Sequence, residues 1–250
     1  MPGPALPDPA LLNPTPVLLN NVDHHDLRVV TTHGAKWGDA VSQVAVFPTE
    51  FEALSRDYAI VFRLNDEGSL EARALLGLER DENLFLEDDY WNARTVPALL
   101  QRGPFSIGVP ADGAAGEPMI HIDPSDPRVS RTEGERIFLD HGGNALYLDR
   151  VGAVLRSIYA GRQIMPAMVA AFADAGLFDE VTLELEYGDD RRHVIPDAIT
   201  LSAERFAALD GAALARLHEG DFLRCAVWLI SSLGNVSALI DRKLVRDARR

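Results

Sequence analysis

Residues Phe47 to Leu64, FPTEFEALSRDYAIVFRL, constrain the fold more than any other stretch of the chain. Upstream, Ala40 to Phe47 places Val41, Val44 and Val46 in an apolar pattern suited to a strand. Pro48 ends that strand. Thr49 and Glu52 then make a T-x-x-E pattern, the signature of a capping box, so a short helix is expected with Phe51 and Leu54 facing inward. Asp57 and Tyr58 close it, and Ala59 to Leu64 (AIVFRL) reads as a second strand. A strand, one or two helical turns and a strand in so few residues leave no room for a parallel crossover. The adjoining strands should therefore pair antiparallel.

The same reading extends along the chain. Leu27–Val30, Ala72–Leu76, Phe105–Val109 and Met119–Ile122 are further strand candidates, and Val96–Gln101 is a short helix stopped by Gly103. The loop Asp123–Arg131 turns at its prolines, and Thr132 with Glu135 offers a second capping box. From Asp149 the spacing of Val151, Val154, Leu155, Ile158 and Tyr159 is helical, and Gly161 and Pro166 are expected to divide that helix from a second one with Met168, Val169 and Phe172 inward, ended by Gly176. Val181–Tyr187 alternates as a half-buried strand, with a hairpin turn at Gly188–Asp190 leading into Arg192–Ile195. The tail from Ala203 is helical in two or three pieces interrupted at Gly211 and Gly220, and its terminal Arg242, Lys243, Arg246, Arg249 and Arg250 suit the negative end of a helix dipole. The expected fold class is α+β: a mostly antiparallel sheet covered by C-terminal helices in a single domain. Residues 1–22 form a proline-rich extended segment before a domain over 23–250, with a sub-boundary possible near 123–148.

Several blocks carry a resemblance. An N-terminal segment with histidines, an E-F before a short helix and a tyrosine followed by I-V-F resemble the SapC-like family of bacterial proteins, which typically has proline where this chain has Ala59. NLFLEDDYWNARTVPALLQRGPFSIG (Asn83–Gly108), DPRVSRTEGERIFLDHG (Asp126–Gly142), AGLFDEVTLELE (Ala175–Glu186) and the tail from Ile199 are similar to the family in the same order, from about His24 onward. The resemblance implies no catalytic motif that transfers residue by residue. It implies an accessory role, linked to outer-membrane uptake, and a family name tied to bacterial surface layers.

Composition narrows the function classes. A net charge of −14 argues against a nucleic-acid surface and against docking on anionic lipid. Cys225 is the sole cysteine, so no internal disulfide forms; its apolar run CAVWLI points to a buried core thiol. The N-terminus has neither a basic start nor a continuous apolar core, and no segment reads as long enough and apolar enough to span a membrane, so no membrane insertion and a cytoplasmic location are expected.

His24-His25-Asp26 is the sharpest local cluster. His24-x-Asp26 is the first half of a facial triad for non-haem Fe(II), with His121, His141 or His193 as the distal ligand and Arg131 placed for a cosubstrate carboxylate. The simpler alternative is a polar turn before the Leu27 strand. Asp140–Gly143 lacks a nucleophile elbow to serve, because Pro104 stands where the first glycine of G-x-S-x-G should precede Ser106. Glu87–Asp89 and Asp123–Asp126 lack EF-hand spacing, and no Walker loop, G-x-G-x-x-G or C-x-x-C is present. No catalytic residue is assigned. The leading expectation is a binding or accessory protein that acts with a protein partner or a small ligand and holds no cofactor. The alternative is an Fe(II) oxygenase using His24, Asp26 and His121.

Overall fold

The computed structural model describes residues 16–108, 118–187 and 191–249. Most of the proline-rich segment, Val109 and the expected turn at 188–190 lie outside the described residues. In chain order the strands are β1 (Val17–Leu18), β2 (Arg28–Val29), β3 (Gln43–Ala45), β4 (Ile60–Leu64), β5 (Leu70–Leu75), β6 (Leu86–Glu87), β7 (Tyr90–Trp91), β8 (Phe105–Gly108), β9 (Met119–Ile122), β10 (Val129–Ser130), β11 (Glu135–Arg136), β12 (Phe178–Tyr187) and β13 (Arg191–Leu201). The helices are α1 (Phe51–Leu54), α2 (Ala98–Gln101), α3 (Leu146–Asp174), α4 (Ala203–Ala207), α5 (Gly211–Glu219), α6 (Leu223–Ser232) and α7 (Asn235–Ala248). Every strand pairing is antiparallel, as expected from the short connections. The class is α+β.

The chain divides into two compact units, each assembled from two stretches: residues 1–31 with 102–156, and 32–101 with 157–250. In the first, β1, β9 and β8 form one small sheet and β10, β2 and β11 another. Leu27, Val29, Phe105, Ile122, Ile137 and Phe138 from these strands and loops bury against Leu148, Val151 and Leu155 of α3. The expected helix at the Thr132–Glu135 box does not form. Gly134 takes a positive φ, and Glu135–Arg136 pair with β2 instead. No helical run of apolar residues follows the box to reward nucleation.

The second unit holds a five-stranded sheet in the order β12-β13-β4-β5-β3. Its central strand begins with Ile60, Val61 and Phe62, all buried, which is why AIVFRL reads so clearly. Met168 and Phe172 of α3, Leu217 of α5, Cys225, Ala226 and Leu229 of α6 and Leu239 of α7 complete this core. Two side chains, a hydroxyl and an amide, lock the C-terminal helices to it. Ser232 Oγ accepts the Ile60 N–H at 3.1 Å, and Asn235 Nδ2 donates to the carbonyls of Ser55 and Tyr58. Burial pushes the Cys225 thiol up to about 11, consistent with a core thiol.

Four further readings are corrected. The capping box forms two positions earlier than Thr49/Glu52: Pro48 opens a 3₁₀ turn, so the third residue is Glu50, whose Oε1 accepts the Phe47 N–H at 3.1 Å. Thr49 Oγ instead donates to the Ser157 carbonyl. Helix α3 is continuous through Gly161 and Pro166. Gly161 marks a close approach, since a Cβ there would stand 2.5 Å from Phe47 Cβ, and the packing of Met168 and Phe172 offsets the bond Pro166 cannot make. The basic tail is not only a dipole complement, because Lys243 is 1 % exposed. Finally, Leu223–Ala248 is long and apolar enough by composition to cross a membrane, with a mean hydropathy of 1.5 in its best window. It folds as α6 and α7, separated at Leu233–Gly234, with Cys225, Ala226, Leu229 and Leu239 in the core.

Candidate functional site

The histidines singled out in the sequence sit as follows. His24 lies in a turn ahead of β2, where Leu27 N–H donates to its carbonyl and its Nδ1 lies 3.1 Å from both the Asn20 nitrogen and oxygen. His25 Nδ1 faces the Val22 carbonyl. Asp26 forms an ion pair with Arg131, and that hydrogen bond holds its carboxyl below the usual range. Arg131, read as a cosubstrate clamp, is therefore engaged by Asp26. His121 is on β9, its Nδ1 3.2 Å from the Met119 carbonyl, and its ring packs so closely on Gly108 that a Cβ there would come within 2.6 Å of Cε1. His141 is exposed in a glycine turn, and His193 lies on β13. Among the described residues no group of three His, Cys, Asp or Glu side chains is placed to hold a metal ion.

The second unit contains further buried polar groups. Asp39 is fully buried; its Oδ2 accepts the Gly34 N–H at 3.0 Å and lies 3.3 Å from His33 Nδ1. A buried acid that orients a partly exposed imidazole is the supporting half of a general-base arrangement. His33 packs edge-on against Trp91 at 5.4 Å between centroids. The Trp91 indole N–H donates to Tyr58 Oη at 2.7 Å, and that hydroxyl donates to the Thr95 carbonyl at 2.6 Å. Glu50 is buried beside α2, its Oε2 accepting the Ala98 N–H at 2.8 Å. Burial pushes its carboxyl up to about 7, against the opposing pull of its two backbone donors.

A further arrangement lies where β12, β13 and β4 adjoin. Register along β12 and β13 runs to Val181 opposite Ala198 and resumes at Leu183 opposite Ile195. Thr182 on one strand thus faces two residues, Pro196 and Asp197, on the other, which defines a β-bulge. Pro196 has no N–H to give a ladder, and Asp197 takes φ +54°, a left-handed conformation that short polar side chains tolerate better than others. The bulge opens a cavity of about 620 Å³ lined by Arg63, Leu64, Glu180, Thr182, Asp197 and Ile199.

Arg63 stands opposite Glu71 in the β4–β5 register, yet Glu71 pairs with Arg73 at 2.6 Å. Arg63 is left without that partner, and its Nε is closed to solvent with no hydrogen bond. Among the described residues the side chains of Arg63, Glu180, Thr182 and Asp197 form no hydrogen bond or ion pair. Burial, followed by repulsion from Arg73, holds the Arg63 guanidinium below its ordinary value, with Asp197 pulling the other way. A concave site with one cation, two acids and an apolar wall of Leu64 and Ile199 is equipped to bind a small polar molecule.

The SapC family model matches residues 19–239. The chain belongs to the SapC family. No curated protein and no solved structure matches it. The SapC match takes in His33, Asp39, Glu50 and the whole bulge cavity, and it ends before Lys243. The sequence signal for the cavity was present in outline: a proline followed by Asp197 inside an alternating strand is a known mark of a bulge. Arg63 carried no such signal, because which acid it faces depends on strand register.

Proposed function

We infer that this SapC family protein is a binding or accessory protein, and that it holds a small polar ligand in the cavity at the β12–β13 bulge. The observation that carries the reading is Arg63. Arg63 lines the cavity, and no acceptor among the described residues takes its terminal N–H groups, which leaves them for a ligand oxygen. The bulge and the left-handed Asp197 support it, since such irregularities recur where a side chain is re-aimed toward a site. An accessory role beside an outer-membrane uptake system is compatible with a protein that takes up and presents a small ligand.

The test is amide chemical-shift mapping of the labelled full chain against a panel of small carboxylates, amines, amino acids and sugars. Saturable shifts at Arg63, Thr182 and Asp197, lost in Arg63→Gln, are expected. Saturable shifts confined to other parts of the chain would overturn the reading, as would no shift with any member of the panel.

A further inference from the structure

We propose that the bulge cavity is built for a zwitterion, an α-amino acid with an apolar side chain, whose carboxylate meets Arg63 and whose ammonium meets Asp197 and Glu180. This rests on the small-ligand reading above and adds its chemical class.

Charge makes the first part of the case. The lining carries one cation and two carboxylates, none of them neutralised by a hydrogen-bonded neighbour among the described residues. A simple anion would gain from Arg63 and lose to both acids. A simple amine would leave the Arg63 guanidinium without an acceptor. A molecule with both charges a few bonds apart satisfies both groups. The guanidinium fork suits a carboxylate, to which it can present two N–H donors side by side.

Shape makes the second part. Arg63 comes from β4, whereas Glu180 and Asp197 come from β12 and β13, so the two signs of charge are supplied by different strands. The bulge is what moves Asp197 out of the regular pleat. Thr182, the single residue opposite the two-residue bulge, adds a hydroxyl that can donate or accept. Leu64 is 63 % exposed at the rim, a large apolar side chain with no partner over most of its surface. With Ile199 it forms a wall on which an aliphatic or aromatic side chain can rest. The left-handed Asp197 is a conformational cost that a plain hairpin would not carry, and it places the acid in this cavity.

The experiment is isothermal titration of the full chain with L-leucine and with its two truncated analogues, 4-methylpentanoate, which lacks the ammonium, and 3-methylbutylamine, which lacks the carboxylate. L-Phenylalanine and glycine probe the apolar wall. Leucine is expected to bind at least tenfold more tightly than either analogue and than glycine. Arg63→Gln should weaken leucine at least tenfold and leave the amine unchanged. Asp197→Asn, which keeps a residue tolerant of positive φ, should weaken leucine and leave the carboxylate analogue unchanged. If an analogue binds as tightly as leucine, the zwitterion proposal fails while the small-ligand reading stands. If neither leucine, phenylalanine nor glycine binds but a sugar or dicarboxylate does, with Arg63 required, the same division holds. If nothing in either panel binds, both fail.

Discussion

Two regions of the second unit surround a cation with carboxylates and end in opposite states. Around Lys243 the charges are closed on one another. Its Nζ lies 2.8 Å from Glu79 Oε1, 2.8 Å from Glu82 Oε1 and 3.4 Å from Asp247 Oδ1. Glu82 also accepts the N–H groups of Leu78 and Glu79. Burial alone would lower the Lys243 pKa, and its bonds to Glu79 and Glu82 reverse that, so the ammonium is held above its ordinary value. Around Arg63 the charges face a cavity, and the nearest cross-strand acid, Glu71, belongs to Arg73. The first region spends its electrostatics on holding α7 against the 79–82 loop. The second leaves them available to something outside the chain. The lesson is that a count of charges says little; the partner each one has already taken decides its use.

The comparison breaks first at Lys243. Lys243→Met should cost about 3–5 kcal/mol in urea denaturation, because it strands the buried Glu82 without its cation. A loss below ~1 kcal/mol would mean that the cluster is solvated and no different in kind from the Arg63 cavity.

Glu50 sharpens the contrast as a buried acid with backbone donors and no cation. Its pKa near 7, raised from 4.5, means that the folded chain holds the proton more tightly than the unfolded chain. The resulting stability is complete below about pH 4.5 and is lost as pH rises through 7, a difference of about 3 kcal/mol at most between the limits. Denaturation midpoints measured from pH 5 to pH 8 should fall, and Glu50→Gln should flatten that slope. A slope unchanged in Glu50→Gln would assign it to other groups.

Smaller effects are expected at the cavity. Asp197→Gly should change stability by no more than about 1 kcal/mol, on the stabilising side, since glycine takes positive φ without strain. Thermal unfolding of the variant checks it, and a clear loss would show that Asp197 supports the hairpin. Arg63→Gln should lie within about 0.5 kcal/mol of the parent, because no folded partner is removed. A loss of 2 kcal/mol or more, by contrast ~ in the range of a broken buried contact, would put Arg63 on the same footing as Lys243.

Much of the fold was legible because its signals are local. β4 declares itself by a run of apolar residues, Asp210 and Ser202 cap α5 and α4 where the helical tail begins its pieces, and Gly176 ends α3. Two breaks were misplaced where long-range packing overrode local preference: Gly161 lies at a contact with Phe47, and Pro166 is carried inside a helix. The division into two units follows from stretches that interleave along the chain, which periodicity does not reveal. The candidate sites were less legible for the same reason. His24 and Asp26 are neighbours in sequence and drew notice, whereas Arg63, Glu180 and Asp197 are brought together only by strand pairing. Lys243 looked like an ordinary helix-end charge because burial is not written in a residue's type.

The hydrogen bond from Trp91 to Tyr58 has an optical consequence. The chain's three tryptophans are Trp37, Trp91 and Trp228, and all belong to the second unit. Indole emission is therefore blind to the first unit, whose largest aromatic reporter among the described residues is Tyr147 against Phe105. Emission from Trp91, buried and bonded, should shift to longer wavelength when the second unit melts. Far-ultraviolet dichroism records both units at once. Overlaid melting curves from the two signals would mean that the units unfold together, and separated curves would give each its own transition.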